Sequence, residues 1–100
     1  MDQAGQVTGI VARRLTILGR VQGVFYRNWT VETARGLGLA GWCRNRVDGS
    51  VEVWIEGAPT AVERFAALAA EGPPAAQVTH IQSMDAEPEG SATFEKRTTA

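Results

Sequence analysis

The chain has 100 residues, a formal net charge of −1 at pH 7, and 44% hydrophobic and 21% charged residues. These values fit one globular domain and argue against a general nucleic-acid or membrane-surface binder, which would need an excess of basic residues. A single cysteine excludes an internal disulfide, and one cysteine with one histidine leaves no credible zinc site, so we expect no bound metal.

The N-terminal segment does not resemble a secretion signal, because it contains Asp2, has no basic start and has no apolar run longer than three residues. No run approaches the length of a membrane-spanning helix. Together with the lone Cys43, these features predict a cytoplasmic protein. We expect residues 1–12 to be a flexible extension, residues 13–97 to form a single domain, and residues 98–100 to be a tail.

Hydrophobic patterning predicts alternating strands and helices along the whole chain. Short alternating or apolar runs predict strands, and apolar residues at helical spacing predict two helices. Pro59 suits the first position of the second helix, which Gly72 and two following prolines end. The predicted strands are Leu15–Leu18, Gly41–Arg46, Ser50–Glu56, Val78–Ser83 and a shorter Thr93–Arg97, and the predicted helices run over Asn28–Gly38 and from Pro59 to Gly72.

This order is β-α-β-β-α-β, the split βαβ arrangement of ferredoxin-like folds. The predicted fold class is therefore α+β: a two-layer α/β sandwich with a mostly antiparallel sheet and both helices on one face. A right-handed crossover makes the first two strands parallel, with the third strand antiparallel between them. The C-terminal ends of the first two strands then lie at one edge, so we expect the segment Gly19–Arg27 to lie beside Asn45.

The segment Gly19–Arg27 joins the first strand to the first helix. Glycines can turn backbone N–H groups inward, a helix start adds unpaired N–H donors, and arginine offers a fork that matches phosphate oxygens. By spacing alone, a plain turn with a solvated arginine is equally compatible. The anion-binding interpretation assigns the phosphate to Arg27 and to the backbone amides of Gln22, Gly23, Val24, Phe25, Tyr26 and Arg27.

The turn between the second and third strands allows two registers. A two-residue loop at Asp48 and Gly49 would turn Arg44 and Arg46 into the core. A three-residue loop, with Gly49 in a left-handed bulge position, avoids this and places Asn45 on the helix-covered face. We predict the second register, which pairs Trp42 with Trp54, Cys43 with Val53, Arg44 with Glu52 and Asn45 with Val51.

The residues of this edge suit phosphoryl transfer. A loose transition state needs charge stabilisation on the phosphoryl oxygens and an attacking oxygen held in line. Arg27 and the loop amides can supply the first, and the Asn45 amide can both donate to and accept from a water. Asn45 is not a strong base, so the substrate needs a good leaving group, such as the carboxylate of an acyl phosphate.

Two segments, Gly19–Arg27 and Gly41–Gly57, resemble the signature motifs of the acylphosphatase family. The resemblance implies hydrolysis of acyl phosphates to a carboxylate and inorganic phosphate, without a metal or other cofactor. It implies that Arg27 is the catalytic arginine and that Asn45 orients the water. We expect a small-molecule acyl phosphate substrate, competing inorganic phosphate and sulfate, a monomer, and neither nucleic-acid nor membrane partners.

Other interpretations stay open at this point. Trp42 and Trp54, flanked by arginines, could stack nucleic-acid bases on an open sheet face. The chain could also be a phosphate-binding module without turnover, or resemble the acylphosphatase-like part of hydrogenase-maturation carbamoyltransferases, whose cysteine-rich zinc segments are absent from this sequence.

In the fourth strand, Val78 and Ile81 are an odd number of residues apart, which predicts a bulge or an early end of the strand and leaves His80 on the surface.

Overall fold

The computed structural model of the protein describes residues 9–100. It confirms the predicted α+β, ferredoxin-like order of elements, with a short fifth strand at the end of the chain. The strands are β1 (Val11–Arg20), β2 (Ala40–Asn45), β3 (Val51–Gly57), β4 (Gln77–Ala86) and β5 (Phe94–Lys96), and the helices are α1 (Tyr26–Gly36) and α2 (Pro59–Ala69).

The five strands form one sheet in the order β4-β1-β3-β2-β5. β3 is antiparallel to both β1 and β2, so β1 and β2 run parallel with β3 between them, as predicted. β5 extends the sheet by pairing in parallel with β2. The C-terminal ends of β1 and β2 therefore lie at the same edge of the sheet, where the predicted site residues were expected to meet.

The core lies between the two helices and one face of the sheet. Alternate residues of the central strands point into it, because successive side chains of a strand point to opposite faces. Leu15, Val53 and Phe65 are completely buried in this core. The opposite face carries polar and aromatic side chains, including Glu52 and the stacked rings of Trp42 and Trp54.

The β2–β3 hairpin confirms the predicted register. Gly49 has a φ of 96°, the left-handed conformation that the three-residue loop requires. The indole rings of Trp42 and Trp54 are nearly parallel, with their centroids 6.4 Å apart. The observed pairs are Trp42 with Trp54, Cys43 with Val53, Arg44 with Glu52 and Asn45 with Val51.

The predicted bulge is present in β4. Leu18 pairs with His80 and the next residue, Gly19, pairs with Val78, so one residue of β4 is left without a partner. This shift lets both Val78 and Ile81 pack against the core although they are three positions apart. His80 is exposed, as predicted.

Most element boundaries differ from the prediction by one to four residues, and three differences bear on the site or on the ends of the domain. α1 begins at Tyr26 rather than Asn28, so Tyr26 and Arg27 belong to its first turn. β1 begins at Val11, which pairs with Gly57, so its first two residues belong to the sheet and not to an N-terminal extension. The flexibility predicted for residues 1–8 lies outside the described residues. At the other end, the backbone of Ala100 pairs with that of residues 45 and 47, which extends the pairing along the end of β2.

Candidate active site

A cleft of about 280 Å³ lies where β1 and β2 end beneath the first turn of α1. It brings together Arg27 and Asn45, the two side chains that the sequence assigned to catalysis. Three of the other predicted loop residues, Gly23, Phe25 and Tyr26, also line it. The lining residues are Val21, Gly23, Phe25, Tyr26, Arg27, Asn28, Asn45 and Lys96.

The loop backbone between β1 and α1 has an unusual conformation. Gly23 has a φ of 75° and Phe25 a φ of 64°, and Phe25 is the only non-glycine residue with positive φ among the described residues. An aromatic residue in this conformation costs about 1–2 kcal/mol, and such strain concentrates at functional sites. Within residues 9–100, the backbone N–H groups of residues 22–28 donate no hydrogen bond of good geometry to a backbone carbonyl. The loop therefore presents a run of unpaired donors, the arrangement that binds anions.

Side chains at both ends hold this loop in place. The Gln22 side-chain amide donates to the carbonyl oxygens of Arg46 and Ser50, at 2.7 and 2.8 Å, which ties the loop to the β2–β3 hairpin. The Tyr26 hydroxyl donates to the Ala69 carbonyl at 2.6 Å, and burial raises the pKa of Tyr26.

Gln22 and Val24 do not line the cleft, although the anion-binding interpretation of the sequence includes the backbone amides of both.

Arg27 lies in the first turn of α1, and its side chain reaches the end of the chain. Its Nη1 donates to the Arg97 carbonyl oxygen at 3.3 Å, and it forms no salt bridge within residues 9–100. Its own carbonyl oxygen lies 3.7 Å from the Cys43 thiol, which donates to it. No carboxylate of the described residues therefore competes with an anionic ligand for this guanidinium.

Cys43 packs against the first turn of α1, and its thiol is poorly suited to act as a nucleophile. Its side chain is fully buried, and burial raises the pKa of its thiol to about 11, although the charges of Arg27 and Lys96 act in the opposite direction. A thiol with this pKa is almost entirely protonated at neutral pH, and the thiolate is the nucleophilic form.

Asn45 is the last residue of β2 and is partly buried. Its backbone carbonyl oxygen accepts a hydrogen bond from the Ala100 N–H. Its side-chain Oδ1 is buried and accepts no hydrogen bond from any residue in the described part of the chain. An unpaired buried acceptor costs about 1–3 kcal/mol, and Asn45 is among the residues that line the cleft, so a ligand or water bound there can supply the missing partner.

Asn28 and Lys96 also line the cleft, and the sequence assigned neither of them to the site. The Lys96 ammonium donates to Asn28 Oδ1 at 2.9 Å. Lys96 reaches the cleft because β5 pairs with β2, which sets Lys96 opposite Cys43. One signal could have found it: Lys96 is two positions after the apolar Phe94 and so shares its inward face.

On the open face of the sheet, the ring of Trp42 is covered and is not available to stack on nucleic-acid bases. Trp42 is only 7% exposed, because its ring stacks on Trp54 and the guanidinium groups of Arg44 and Arg97 lie within 5 Å of its centroid. Base stacking requires an exposed ring face. The aromatic pair is therefore part of the packing of this face.

Two further observations concern the described residues only. No group of three or more His, Cys, Asp or Glu side chains among residues 9–100 is arranged to hold a metal ion. None of the helices in this part of the chain is long and apolar enough to cross a membrane.

Comparison with known proteins identifies the family. The sequence model described as Acylphosphatase matches residues 13–96. The chain is 47% identical to the acylphosphatase of Acidiphilium cryptum (strain JF-5) over 90 residues, which cover 90% of this chain and 99% of that protein. The crystal structure of acylphosphatase from Bacillus subtilis is similar with a TM-score of 0.85 at 35% identity, covering 87% of this chain and 98% of that one.

The structure of an acylphosphatase from Coxiella burnetii has a TM-score of 0.87 at 30% identity, and covers 97% of this chain and 100% of that one. Identities of this size over most of the chain establish more than a shared fold. The chain therefore belongs to the acylphosphatase family and is an enzyme that hydrolyses acyl phosphates.

Proposed function

We propose that Arg27 and the backbone amides of residues 22–27 bind the phosphoryl group of the acyl phosphate, and that Asn45 orients the attacking water. The observation that carries this proposal is the cleft itself. It is lined by Arg27, by loop residues whose N–H groups have no backbone partner and by Asn45, whose buried Oδ1 is unpaired, and among residues 9–100 Arg27 forms no salt bridge. These are the groups that an anion and a water would pair with.

In this mechanism the water oxygen attacks phosphorus, and the bond between phosphorus and the acyl oxygen breaks. The acyl oxygen leaves as a carboxylate, and the water protons remain with the inorganic phosphate and the solvent. Arg27 and the loop amides stabilise the charge on the phosphoryl oxygens, which is the main requirement of a loose transition state. Asn45 Oδ1 accepts a hydrogen bond from the water and so directs its lone pair towards phosphorus.

The decisive experiment compares turnover with phosphate binding in Asn45→Ala. Removal of one preorganised hydrogen-bonding group costs on the order of 100- to 1000-fold in kcat. Because anion binding belongs to Arg27 and the loop, Ki for inorganic phosphate should change by less than about threefold. Phosphate release from benzoyl phosphate measures both quantities. If kcat and Ki worsen by the same factor, Asn45 is a phosphate ligand or a structural support instead.

Asn45→Asp is a matched variant of nearly the same shape. Its carboxylate would repel the incoming phosphoryl group, so we expect it to be no more active than Asn45→Ala. Recovery of wild-type turnover by Asn45→Asp would show that a general base suffices at this position, against a purely orienting role.

The cleft should also bind the free tetrahedral anions. Inorganic phosphate and sulfate are expected to compete with the acyl phosphate, since each has the oxygens that the loop amides and Arg27 would bind. We expect turnover to be unchanged by EDTA, because carboxylate, imidazole and thiolate ligands are not clustered in the described residues. Loss of turnover on chelation, restored by magnesium, would contradict metal independence.

We further propose a cytoplasmic monomer whose single domain spans residues 13–97 together with the two strand residues before it. The lone, buried Cys43 fits a reducing compartment. Sedimentation equilibrium at micromolar concentration tests the monomer, and fractionation of the source cells tests the location. Limited proteolysis tests whether cleavage is confined to the segment before β1.

A further inference from the structure

A second groove runs along α1 beside the active-site cleft. The groove has a volume of about 310 Å³ and shares Asn28 and Lys96 with the cleft. Its other lining residues are Val31, Glu32 and Arg35, which follow on the same side of α1. A substrate whose phosphoryl group lies against the loop can therefore extend its acyl group towards Lys96, at the border between the cleft and the groove.

Lys96 is suited to bind an anion at this junction. It is the only lysine of the chain, and it forms no salt bridge within residues 9–100. Its side chain is exposed, and Asn28 Oδ1, a neutral acceptor, holds its ammonium at 2.9 Å. A neutral partner fixes the position of the ammonium without cancelling its charge.

The groove is positive even when its acidic residue is included. Lys96 and Arg35 contribute two positive charges and Glu32 one negative charge. The Arg35 guanidinium donates to the Phe94 carbonyl oxygen, again a neutral acceptor, at 2.8 and 3.2 Å. The net charge of the groove is therefore positive in a chain with a formal net charge of −1.

We propose that Lys96 is a specificity-determining residue that binds a carboxylate at the far end of the acyl group, so that the enzyme favours acyl phosphates of dicarboxylic acids. This inference rests on the proposed placement of the phosphoryl group at Arg27 and the loop amides. These donors already serve the phosphoryl oxygens, which leaves the Lys96 ammonium for the acyl part of the substrate. The remaining hydrogens of the ammonium can donate to a carboxylate while Asn28 keeps one.

The test compares two substrates of equal chain length, adipoyl phosphate and hexanoyl phosphate, which differ in a terminal carboxylate. The measured quantity is the ratio of their kcat/KM values in the wild-type enzyme, Lys96→Met and Lys96→Arg. Lys96→Met keeps the length of the side chain and removes its charge. We expect it to lower the adipoyl-to-hexanoyl ratio about three- to fivefold, the size of a charge pair at an exposed site, and Lys96→Arg to preserve the ratio.

Arg64→Met is a matched control, because Arg64 is exposed on α2 and lines neither the cleft nor the groove. It should leave the ratio unchanged. Lys96→Glu should lower the ratio further than Lys96→Met, because it places a like charge opposite the carboxylate. High salt should weaken the wild-type preference for adipoyl phosphate, since the contact is exposed.

A second measurement does not depend on turnover. Reductive ¹³C-methylation keeps the charge and labels Lys96 and the N-terminus alone, since the chain has no other lysine. With phosphate present, adipate should shift the Lys96 methyl signal more than adipamide, which has the same chain length and no carboxylate, does at the same concentration. Equal shifts from both compounds would count against the carboxylate contact.

Several outcomes would overturn the proposal. An adipoyl-to-hexanoyl ratio that is the same in all variants shows that Lys96 does not contact the acyl group. If Lys96→Met slows both substrates equally and weakens phosphate inhibition, Lys96 binds the phosphoryl group instead. Failure of the wild-type enzyme to hydrolyse hexanoyl phosphate would contradict the proposed mechanism rather than this inference.

Discussion

The active-site cleft and the open face of the sheet both contain buried polar side chains near arginines, but they pair them differently. On the open face, the Glu52 side chain is only 4% exposed and accepts hydrogen bonds from Arg14, Arg44 and Arg46 at 3.4, 2.8 and 3.0 Å. In the cleft, Asn45 Oδ1 accepts none from residues 9–100, and Arg27 has no carboxylate partner there.

Glu56 shows the same complete pairing on the open face. Its carboxylate accepts from the Trp54 indole at 2.7 Å, from the Gly90 N–H at 3.0 Å and from the Ser91 hydroxyl at 2.8 Å. These contacts fix the loop between β4 and β5 onto the sheet. A buried carboxylate is tolerated only with such partners, because its desolvation is costly.

Unpaired atoms alone do not separate the two regions. Trp42 Nε1 and Arg46 Nε are also buried without a partner among the described residues, and both lie on the open face. The difference is that Asn45 lines the cleft, next to Arg27 and to loop amides without a backbone partner among residues 9–100, whereas Trp42 and Arg46 do not line it. The comparison teaches that a binding site combines unpaired groups with the space for a ligand.

The largest expected effect tests the cleft through Arg27. Arg27→Ala should lower kcat/KM for benzoyl phosphate by at least about 100- to 1000-fold, because the phosphoryl charge loses its main partner. Its free energy of unfolding should change by less than about 1 kcal/mol, since the side chain makes one long hydrogen bond at 3.3 Å. Arg27→Lys should also lose most of its kcat/KM, because the ammonium of lysine cannot form the two parallel hydrogen bonds that a guanidinium donates to phosphoryl oxygens.

Turnover above a tenth of the wild-type value in Arg27→Ala would remove this residue from the mechanism. Arg64→Ala, on the exposed side of α2, is the control for loss of an arginine elsewhere. Steady-state kinetics and chemical denaturation of the same preparations separate the effect on catalysis from that on folding.

The second effect tests the open face through Glu52. Glu52→Gln keeps the shape of the side chain but leaves three arginines without a carboxylate, so the free energy of unfolding should fall by about 2–3 kcal/mol. Because Glu52 points away from the cleft, kcat/KM should stay within about twofold of wild type. Urea denaturation and the benzoyl phosphate assay measure the two. A large loss of turnover in a folded Glu52→Gln protein would show that the two faces are coupled.

Gln22 links the two regions, and its loss should give an intermediate effect on turnover. Gln22→Ala breaks the hydrogen bonds to Arg46 and Ser50 that fix the loop on the hairpin. We expect about a tenfold loss of kcat/KM from misplaced loop amides and about 1–2 kcal/mol of stability. Gln22→Glu, which cannot donate to carbonyl oxygens when ionised, should be no better. Unchanged turnover in Gln22→Ala would show that the loop holds its conformation without this anchor.

The smallest effect concerns the pH dependence of stability through Glu56. Burial alone would raise its pKa, but hydrogen bonds from Trp54 and Ser91 outweigh burial, and the pKa lies below its ordinary value of 4.5. Because the folded-state pKa is depressed, the contribution to stability is present above about pH 4.5 and is lost as the pH falls through the folded value.

Glu56→Gln should therefore reduce stability at pH 7 by about 1 kcal/mol and flatten the loss of stability on acidification below pH 4.5. Thermal unfolding followed from pH 7 to pH 3 measures both. An acid transition of Glu56→Gln that is as steep as that of the wild type would show that another carboxylate controls it. Glu71→Gln, just after α2, is the control, because its side chain is exposed and forms no salt bridge within residues 9–100.

The sequence alone determined the fold, the hairpin register and the two catalytic candidates. The register followed from one physical argument, namely that the two-residue turn would bury the side chains of Arg44 and Arg46, whose desolvation is costly. The bulge in β4 followed from an odd spacing between two apolar residues, which an undistorted strand cannot bury on one face. The hairpin register and the bulge depend on which side chains of neighbouring residues are buried, and the local pattern of polar and apolar residues predicts this.

Only the tertiary structure decided the conformation of the loop that lines the cleft and which distant residues hold the loop or join it in the cleft. Phe25 has a left-handed backbone conformation, which phenylalanine disfavours, and α1 begins directly after it at Tyr26. The sequence predicted a later start, at Asn28. The Gln22 side chain reaches carbonyl oxygens 24 and 28 residues later, and Lys96 reaches Asn28 across 68 positions. Contacts at such separations arise when strands pair and loops pack together, and residue spacing along the chain carries almost no information about them.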